Sequence, residues 1–333
     1  MTDRNSQFPF ALSVVVIGRN EGERLIRCIK SVRNMNGSFS CPEIFYVDSA
    51  SADGSPELAR SLGVYVVTLQ GTVYNAAMAR NSGWRAARSE YILLLDGDTE
   101  LDAEFVESAK NKFEDSGIAA VYGRREEKEP QKNIFHRVID VDWFYPAGDA
   151  EYFGGDVLIR RRVLEEAGGF NETLMAGEEP ELSGRIRRNG YRILRLDIPM
   201  TSHDIHMTSW RQYWARIERT GYAYAQISAQ FPLWAPVSWQ GKVRRTLLQA
   251  GAACVITAVF AGWFIFTHSF LPLILWSLGL IYWVAKNTSQ FAPRRLSLCV
   301  SVLCGIHRVF SRIPLSVGMV SYYWDRRQND VPV

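Results

Sequence analysis

Neither of the two glycine-rich phosphate signatures is present: no GxGxxG follows the first apolar run, and no GxxxxGKS/T occurs anywhere. The first absence removes the main support for a dehydrogenase-type dinucleotide fold, and the second disfavours a P-loop NTPase. The five cysteines, Cys28, Cys41, Cys254, Cys299 and Cys304, are odd in number and lack CxxC or Cys/His spacing. That pattern indicates neither a disulfide framework nor a structural zinc, and it fits a reducing compartment. Charge excess is also missing: 38 basic against 35 acidic residues leave a net +3, too little for the basic footprint of a nucleic-acid binder. The opening MTDRNSQFPF has no apolar core of signal-peptide length, so the amino-terminal part is expected to stay where it is synthesised. With 47% hydrophobic and 22% charged residues, the chain has what it needs to bury a globular core.

Residues 246–285 form a run of 40 without Lys, Arg, Asp or Glu. At about 20 residues per crossing this supplies two membrane spans, with a turn at 267–272 where Thr267, His268, Ser269 and Pro272 fall. Lys242, Arg244 and Arg245 precede the run, and Lys286, Arg294 and Arg295 follow it. By the positive-inside rule both ends of the hairpin face the cytosol, which predicts a multi-pass protein of the cell (inner) membrane with the domain before the hairpin cytosolic. Residues 206–245 read as amphipathic interface helices and linker. Residues 286–333 read as an interfacial or re-entrant helix over 296–323, followed by a basic tail, with Tyr322, Tyr323 and Trp324 at headgroup level.

Upstream, over 1–205, apolar runs of strand length alternate with amphipathic stretches. The runs are LSVVVIG (12–18), EIFYVD (43–48), VYVVTL (64–69), YILLLD (91–96) and AAVYG (119–123). Continuous Val/Ile/Leu runs separated by helices predict an α/β domain with a mostly parallel sheet covered on both faces. Ligands of such sheets bind beyond the carboxyl ends of the strands. There the fourth run ends in Asp96-Gly97-Asp98. In extended backbone both carboxylates point the same way, and with water and diphosphate oxygens they would complete an octahedral Mg²⁺ or Mn²⁺ site; DGD is equally good turn chemistry. Asp53 is expected to cap a helix starting near Ser55. Arg80, judged on its helix alone, reads as a solvated side chain.

Six ordered blocks carry a resemblance: VVVIGRNEGERL, YVDSASADGS, ARNSGW, LLLDGDTEL, FGGDVLIRRRVLEEAGGFNE and GEEPELSGRIRRNGY. They resemble the family 2 glycosyltransferases with the GT-A fold, over about residues 11–205. The resemblance implies a nucleotide-diphosphosugar donor, most often a UDP-sugar, and transfer with inversion. It implies that Asn20, Glu21 and Asp48 hold the nucleotide, that Arg80 lies near it, and that Asp96 and Asp98 bind metal and diphosphate, Asp98 more directly. His203 resembles a histidine that completes the metal shell in some relatives. Asp156, in the glycine-bearing acceptor-side block, would meet a sugar hydroxyl. Glu178 and Glu179 resemble the acidic pair at the start of a helix, with Glu179 the candidate base and Glu178 its alternative.

A sugar hydroxyl is a poor nucleophile at neutral pH and needs a base, whereas a polyprenyl phosphate is already anionic. The acidic pair together with the membrane hairpin therefore predicts a lipid-linked glycan acceptor at the cytosolic face, in polysaccharide or surface-glycan assembly. A polyprenyl-phosphate glycosyltransferase and a catalytically inactive nucleotide-sugar-binding component of a membrane complex are the rival readings.

Overall fold

The computed structural model describes residues 11–37, 42–294 and 296–328. The opening decapeptide, Cys41, Arg295 and the last five residues lie outside the described residues. The chain divides into two compact units, one comprising residues 1–129, 143–206 and 233–236, the other residues 130–142, 207–232 and 237–333.

The first unit runs β1 (Leu12–Gly18), α1 (Glu23–Arg33), β2 (Glu43–Asp48), α2 (Ser55–Ser61), β3 (Tyr65–Thr68), α3 (Ala76–Ala86), β4 (Tyr91–Asp96), β5 (Thr99–Leu101), α4 (Phe105–Lys110) and β6 (Ile118–Glu127). α5 (Ile134–Asp142) belongs to the second unit; the first resumes with β7 (Gly148–Asp149), β8 (Val157–Arg160), α6 (Arg161–Glu166), α7 (Glu178–Arg188) and β9 (Arg192–His203). One sheet takes the order β3-β2-β1-β4-β8-β6-β9-β5, with β7 beside β9. β3, β2, β1 and β4 are parallel, as the uninterrupted apolar runs indicate. Beyond β4 the sheet becomes mixed, because β8 inserts antiparallel between β4 and β6.

The two-residue period of β1 divides the core. Val14 and Val16 pack with Leu25, Cys28 and Ile29 of α1. Val15 and Ile17 face the other way, onto Ala77, Ala79 and Trp84 of α3. α3 lies close on the sheet at Gly83, where an added Cβ would come within 2.2 Å of Val15 Cγ1. Burying both faces leaves only the strand ends open to solvent, and the acidic residues sit there. The cap of α2 is Gly54, in the left-handed region; Asp53 instead accepts from Ser55 N and Oγ at 3.0 and 2.6 Å.

The second unit contains α5, α8 (Trp210–Gln230), α9 (Val237–Thr267), α10 (Leu271–Thr288), α11 (Leu298–Phe310) and α12 (Arg312–Gln328). α9 and α10 are joined at residues 268–270 and touch through a Trp276 Nε1–Thr257 Oγ1 hydrogen bond of 3.1 Å. Among the described residues, two helical stretches are long and apolar enough to cross a membrane, Val237–Thr267 and Leu298–Gln328. The stretch 296–323 falls on α11 and α12, which meet at Ser311.

Candidate active site

β4 delivers Asp96 to the rim of the sheet, and Gly97 turns the chain there by donating its N–H to Ile17 O at 2.7 Å. A Cβ on Gly97 would stand 3.0 Å from Glu21 Cγ and 3.1 Å from Ile17 O, and one on Gly18 only 2.7 Å from Glu21 Cγ. Glycine at both positions is what lets the Glu21 side chain lie across the strand ends. Short β5 then pairs with β9, setting Thr99 opposite His203, and His203 Nε2 comes 3.2 Å from Asp98 Oδ1.

Asp96, Asp98 and His203 each offer one ligand atom, all within 4.8 Å of one another. Two carboxylate oxygens and one imidazole nitrogen form a donor set that accepts Mg²⁺ or Mn²⁺. His203 Nδ1 is buried without a hydrogen-bond partner, so the ring is committed to Asp98 through Nε2 alone. These residues fit a divalent ion, with Asp98 and His203 the freer donors.

Asp96 is the least free, because protein cations occupy both of its oxygens. Arg80 NH2 lies 2.9 Å from Oδ1 and Arg125 NH2 3.0 Å from Oδ2. Burial opposes ionisation of this carboxyl, but Arg80 and then Arg125 outweigh it and hold Asp96 well below the usual carboxylate range. Arg80 is 3% exposed, not the solvated side chain its helix suggests. It also reaches Glu178 Oε1 at 2.6 Å and Glu179 Oε1 at 3.4 Å. One guanidinium thus ties the DGD turn to the start of α7, whose cap, Gly177, sits at φ +85°.

Glu178 and Glu179 differ in their surroundings. The Glu178 side chain is 6% exposed against 17% for Glu179, and it makes the shorter ion pair. Burial, followed by the Glu178 charge, pushes the Glu179 carboxyl up to about 7 against the pull of Arg80. Glu21 is also raised to about 7, by burial and then by the Asp98 charge, against Arg24 at 2.9 Å.

The remaining residues separate into framework and rim. Asp156, expected to meet a sugar hydroxyl, has both oxygens engaged by the protein. Oδ1 accepts from Asp96 N at 3.1 Å, and Oδ2 accepts from Thr201 Oγ1 and Arg125 NH2, each at 2.7 Å. The glycines before it also diverge: a Cβ on Gly155 would fall 2.3 Å from Asp96 Oδ2, whereas Gly154 faces open space. Asp48, 1% exposed, accepts from Tyr46 Oη at 3.1 Å and Ser51 N at 3.0 Å. Asn20, at φ +57°, accepts from Ala52 N at 2.8 Å and donates its own N–H to Ser51 Oγ at 2.8 Å, joining the loops after β1 and β2.

Sequence reasoning missed Arg125, which bridges Asp96 and Asp156 and lies 5.5 Å over the Trp143 ring. Burial disfavours its charge, but Asp156 and then Asp96 more than offset that. The available signal was only a basic pair, Arg124-Arg125, directly after Gly123, where the apolar run ends but the strand continues.

The pattern described as Glycosyl transferase family 2 matches residues 13–173. Over those residues, just under half of the chain, the protein is similar to a family 2 glycosyltransferase domain. The pre-mycofactocin glycosyltransferase of Mycobacterium tuberculosis is 25% identical over 235 residues, which cover 66% of this chain and 48% of that protein. Glycosyltransferase AglE of Haloferax volcanii is 22% identical over 213 residues, 56% of this chain and 64% of that one. The chain thus spans about half to two-thirds of these relatives' length. Among solved structures, a mannosyltransferase from Pyrobaculum calidifontis, in complex with GDP-Man and Mn²⁺, aligns with TM-score 0.67 and 18% identity over 96% of this chain and 89% of its own. That likeness shows that this chain has the GT-A fold.

Proposed function

We propose that this glycosyltransferase moves a sugar, with inversion, from a nucleotide-diphosphosugar to a hydroxyl of a lipid-linked saccharide at the cytosolic membrane face, using Mg²⁺ or Mn²⁺. The observation that carries the reading is Glu179: a carboxyl raised to about 7, with its side chain partly exposed at the start of α7. A general base works best when its pKa lies near the operating pH. Glu178 is the poorer base because its carboxylate is committed to the Arg80 guanidinium.

When bound, the divalent ion neutralises charge on the departing nucleoside diphosphate. Asp98 and His203 would hold it, and Asp96 would act mainly by fixing Arg80 and Arg125. Asn20, Glu21 and Asp48 would line the nucleotide end, above the strand ends of β1 and β2, and Gly154 would leave room for a sugar ring against the backbone. Asp156 would position the Asp96 backbone rather than touch the sugar. Glu179 would take the proton from the acceptor hydroxyl as it attacks, while the Arg80 charge keeps Glu178 and Glu179 from repelling each other apart. We assign residues 1–205 to catalysis, 206–245 to the interface, 246–285 to a membrane hairpin, and 286–333 to an interfacial element and basic tail.

The test is a panel of nucleotide sugars offered to detergent-purified protein with Mn²⁺ or Mg²⁺, with either a lipid-linked saccharide or bare polyprenyl phosphate as acceptor. Transfer to the saccharide that is lost in Glu179→Gln supports the reading. Efficient transfer to polyprenyl phosphate with Glu179 dispensable overturns it.

A further inference from the structure

Only one of the two ring nitrogens of His203 has a polar partner. A metal-bound imidazole ordinarily gives its second nitrogen to a carboxylate, a carbonyl or water, and that bond fixes the ring. His203 is 5% exposed; its Nε2 faces Asp98 Oδ1 at 3.2 Å, while its Nδ1 is buried without a hydrogen-bond partner. The main chain here is well held: His203 ends β9 opposite Thr99 of β5 and Glu127 of β6, and its carbonyl accepts from Lys128 N at 2.9 Å. Those bonds place the backbone. They leave the rotation of the imidazole to whatever packs against it.

Trp143 packs there. Its ring and the imidazole have centroids 5.0 Å apart and planes inclined by 69°, the edge-to-face arrangement that aromatic pairs prefer. The same indole lies under the Arg125 guanidinium, 5.5 Å from it, within the range of a cation–π contact. Arg125 in turn donates to Asp96 Oδ2 at 3.0 Å, and to Asp156 Oδ2 from Nε and NH2 at 2.9 and 2.7 Å. One ring therefore touches both halves of the cluster: His203, which meets Asp98, and Arg125, which holds Asp96. The chain around it keeps it in place. Phe144 and Tyr145, the next two residues, are 53% and 42% exposed, whereas Trp143 is half-buried. β7 then ties the segment to β9 by pairing Gly148 with Arg195 and Asp149 with Leu194, and Ala150 N donates to Ile193 O at 2.8 Å. The loop that bears Trp143 is thus fastened to the strand that ends in His203.

We propose, on the reading that Asp98 and His203 hold a divalent ion, that Trp143 is a positioning residue of that site: its ring fixes the imidazole with Nε2 towards Asp98 and keeps Arg125 on Asp96. A saturated side chain would fill much of the same space, but it offers neither a π face to the guanidinium nor a rigid plane to the imidazole. A ligand left free to rotate must be ordered when the ion binds, and that ordering costs affinity. Trp143 acts through His203 and Arg125, so its loss should be felt in metal binding before any sugar is offered.

The test titrates Mn²⁺ alone into detergent-purified full-length protein. The free-ion electron paramagnetic resonance signal gives the affinity, and nitrogen modulation of the spin echo reports an imidazole bound to the ion. Trp143→Leu and Trp143→Met, two apolar variants without a ring, should each weaken Mn²⁺ binding about tenfold and lose most of the nitrogen modulation, with the circular dichroism of the parent. Trp143→Phe, which keeps an aromatic face, should restore the modulation and bind within about threefold of the parent. Three outcomes overturn the proposal: ringless variants that bind Mn²⁺ like the parent with the modulation intact, a Trp143→Phe variant no better than Trp143→Leu, or loss of the fold in both ringless variants, which would make Trp143 a core residue. A parent without nitrogen modulation, or one whose modulation survives His203→Ala, would instead remove His203 from the metal site and the proposal with it, a failure distinct from the other three.

Discussion

Replacing Glu178 by Gln separates the two carboxylates that open α7. The Glu179 carboxyl is raised from 4.5 to about 7, a shift that corresponds to about 3 kcal/mol between its two protonation states. Burial is the largest cause and the Glu178 charge the second. Glu178→Gln keeps the size of the side chain and an oxygen for Arg80 while removing that charge, so the Glu179 value should fall by about one unit. If Glu179 is the base, kcat/KM rises with pH along a limb centred near 7 in the parent and about one unit lower in the variant. At pH 6 the ionised fraction grows from roughly a tenth to roughly a half, so the variant should be about fivefold faster there and equal to the parent on the plateau. The measurement is sugar transfer in initial-rate conditions from pH 5 to 9. A variant whose plateau falls about a hundredfold or more would make Glu178 the base and refute the argument; an unshifted limb would show that the limb belongs to another group.

Four further outcomes are expected. Because folding raises the Glu179 value, its contribution to stability is present below pH 4.5 and is lost as pH rises through about 7; Glu179→Gln should therefore be more stable than the parent above pH 7, by up to about 3 kcal/mol in urea unfolding, while transferring no sugar. Arg125→Met leaves the Asp96 and Asp156 carboxylates without their shared cation and should destabilise the first unit by about 3–5 kcal/mol, read as a lower urea midpoint. Asp98→Asn and His203→Ala should each weaken Mn²⁺ binding at least about tenfold in titration calorimetry, with the fold unchanged by circular dichroism. Gly155→Ala would press a methyl on Asp96 and should lower both thermal stability and transfer, whereas Gly154→Ala, which meets no atom within 4 Å, should leave thermal stability within about 0.5 kcal/mol of the parent.

The sequence by itself determined the elements built from local pattern. Uninterrupted apolar runs marked β1, β2 and β4, because strands buried on both faces cannot alternate with polar residues. The 40-residue uncharged run marked the greater part of α9 and α10, and Pro272 their turn, because an apolar helix and a ring-locked φ leave few alternatives. Asp96, Asp98 and the Glu178-Glu179 pair were legible because each ends a strand or starts a helix at a glycine. Only the tertiary structure decided which charges meet. β8 entering antiparallel beside β4 brings Asp156 beneath Asp96, and β6 carries Arg125 across to both. Nothing in the local sequence around residues 125 or 156 encodes that contact, because it depends on strand order between segments 29 to 60 residues apart. Arg80 is the sharpest case: its helix presents it like any surface arginine, and burial among three carboxylates arises only when α3, β4 and α7 converge at one end of the sheet.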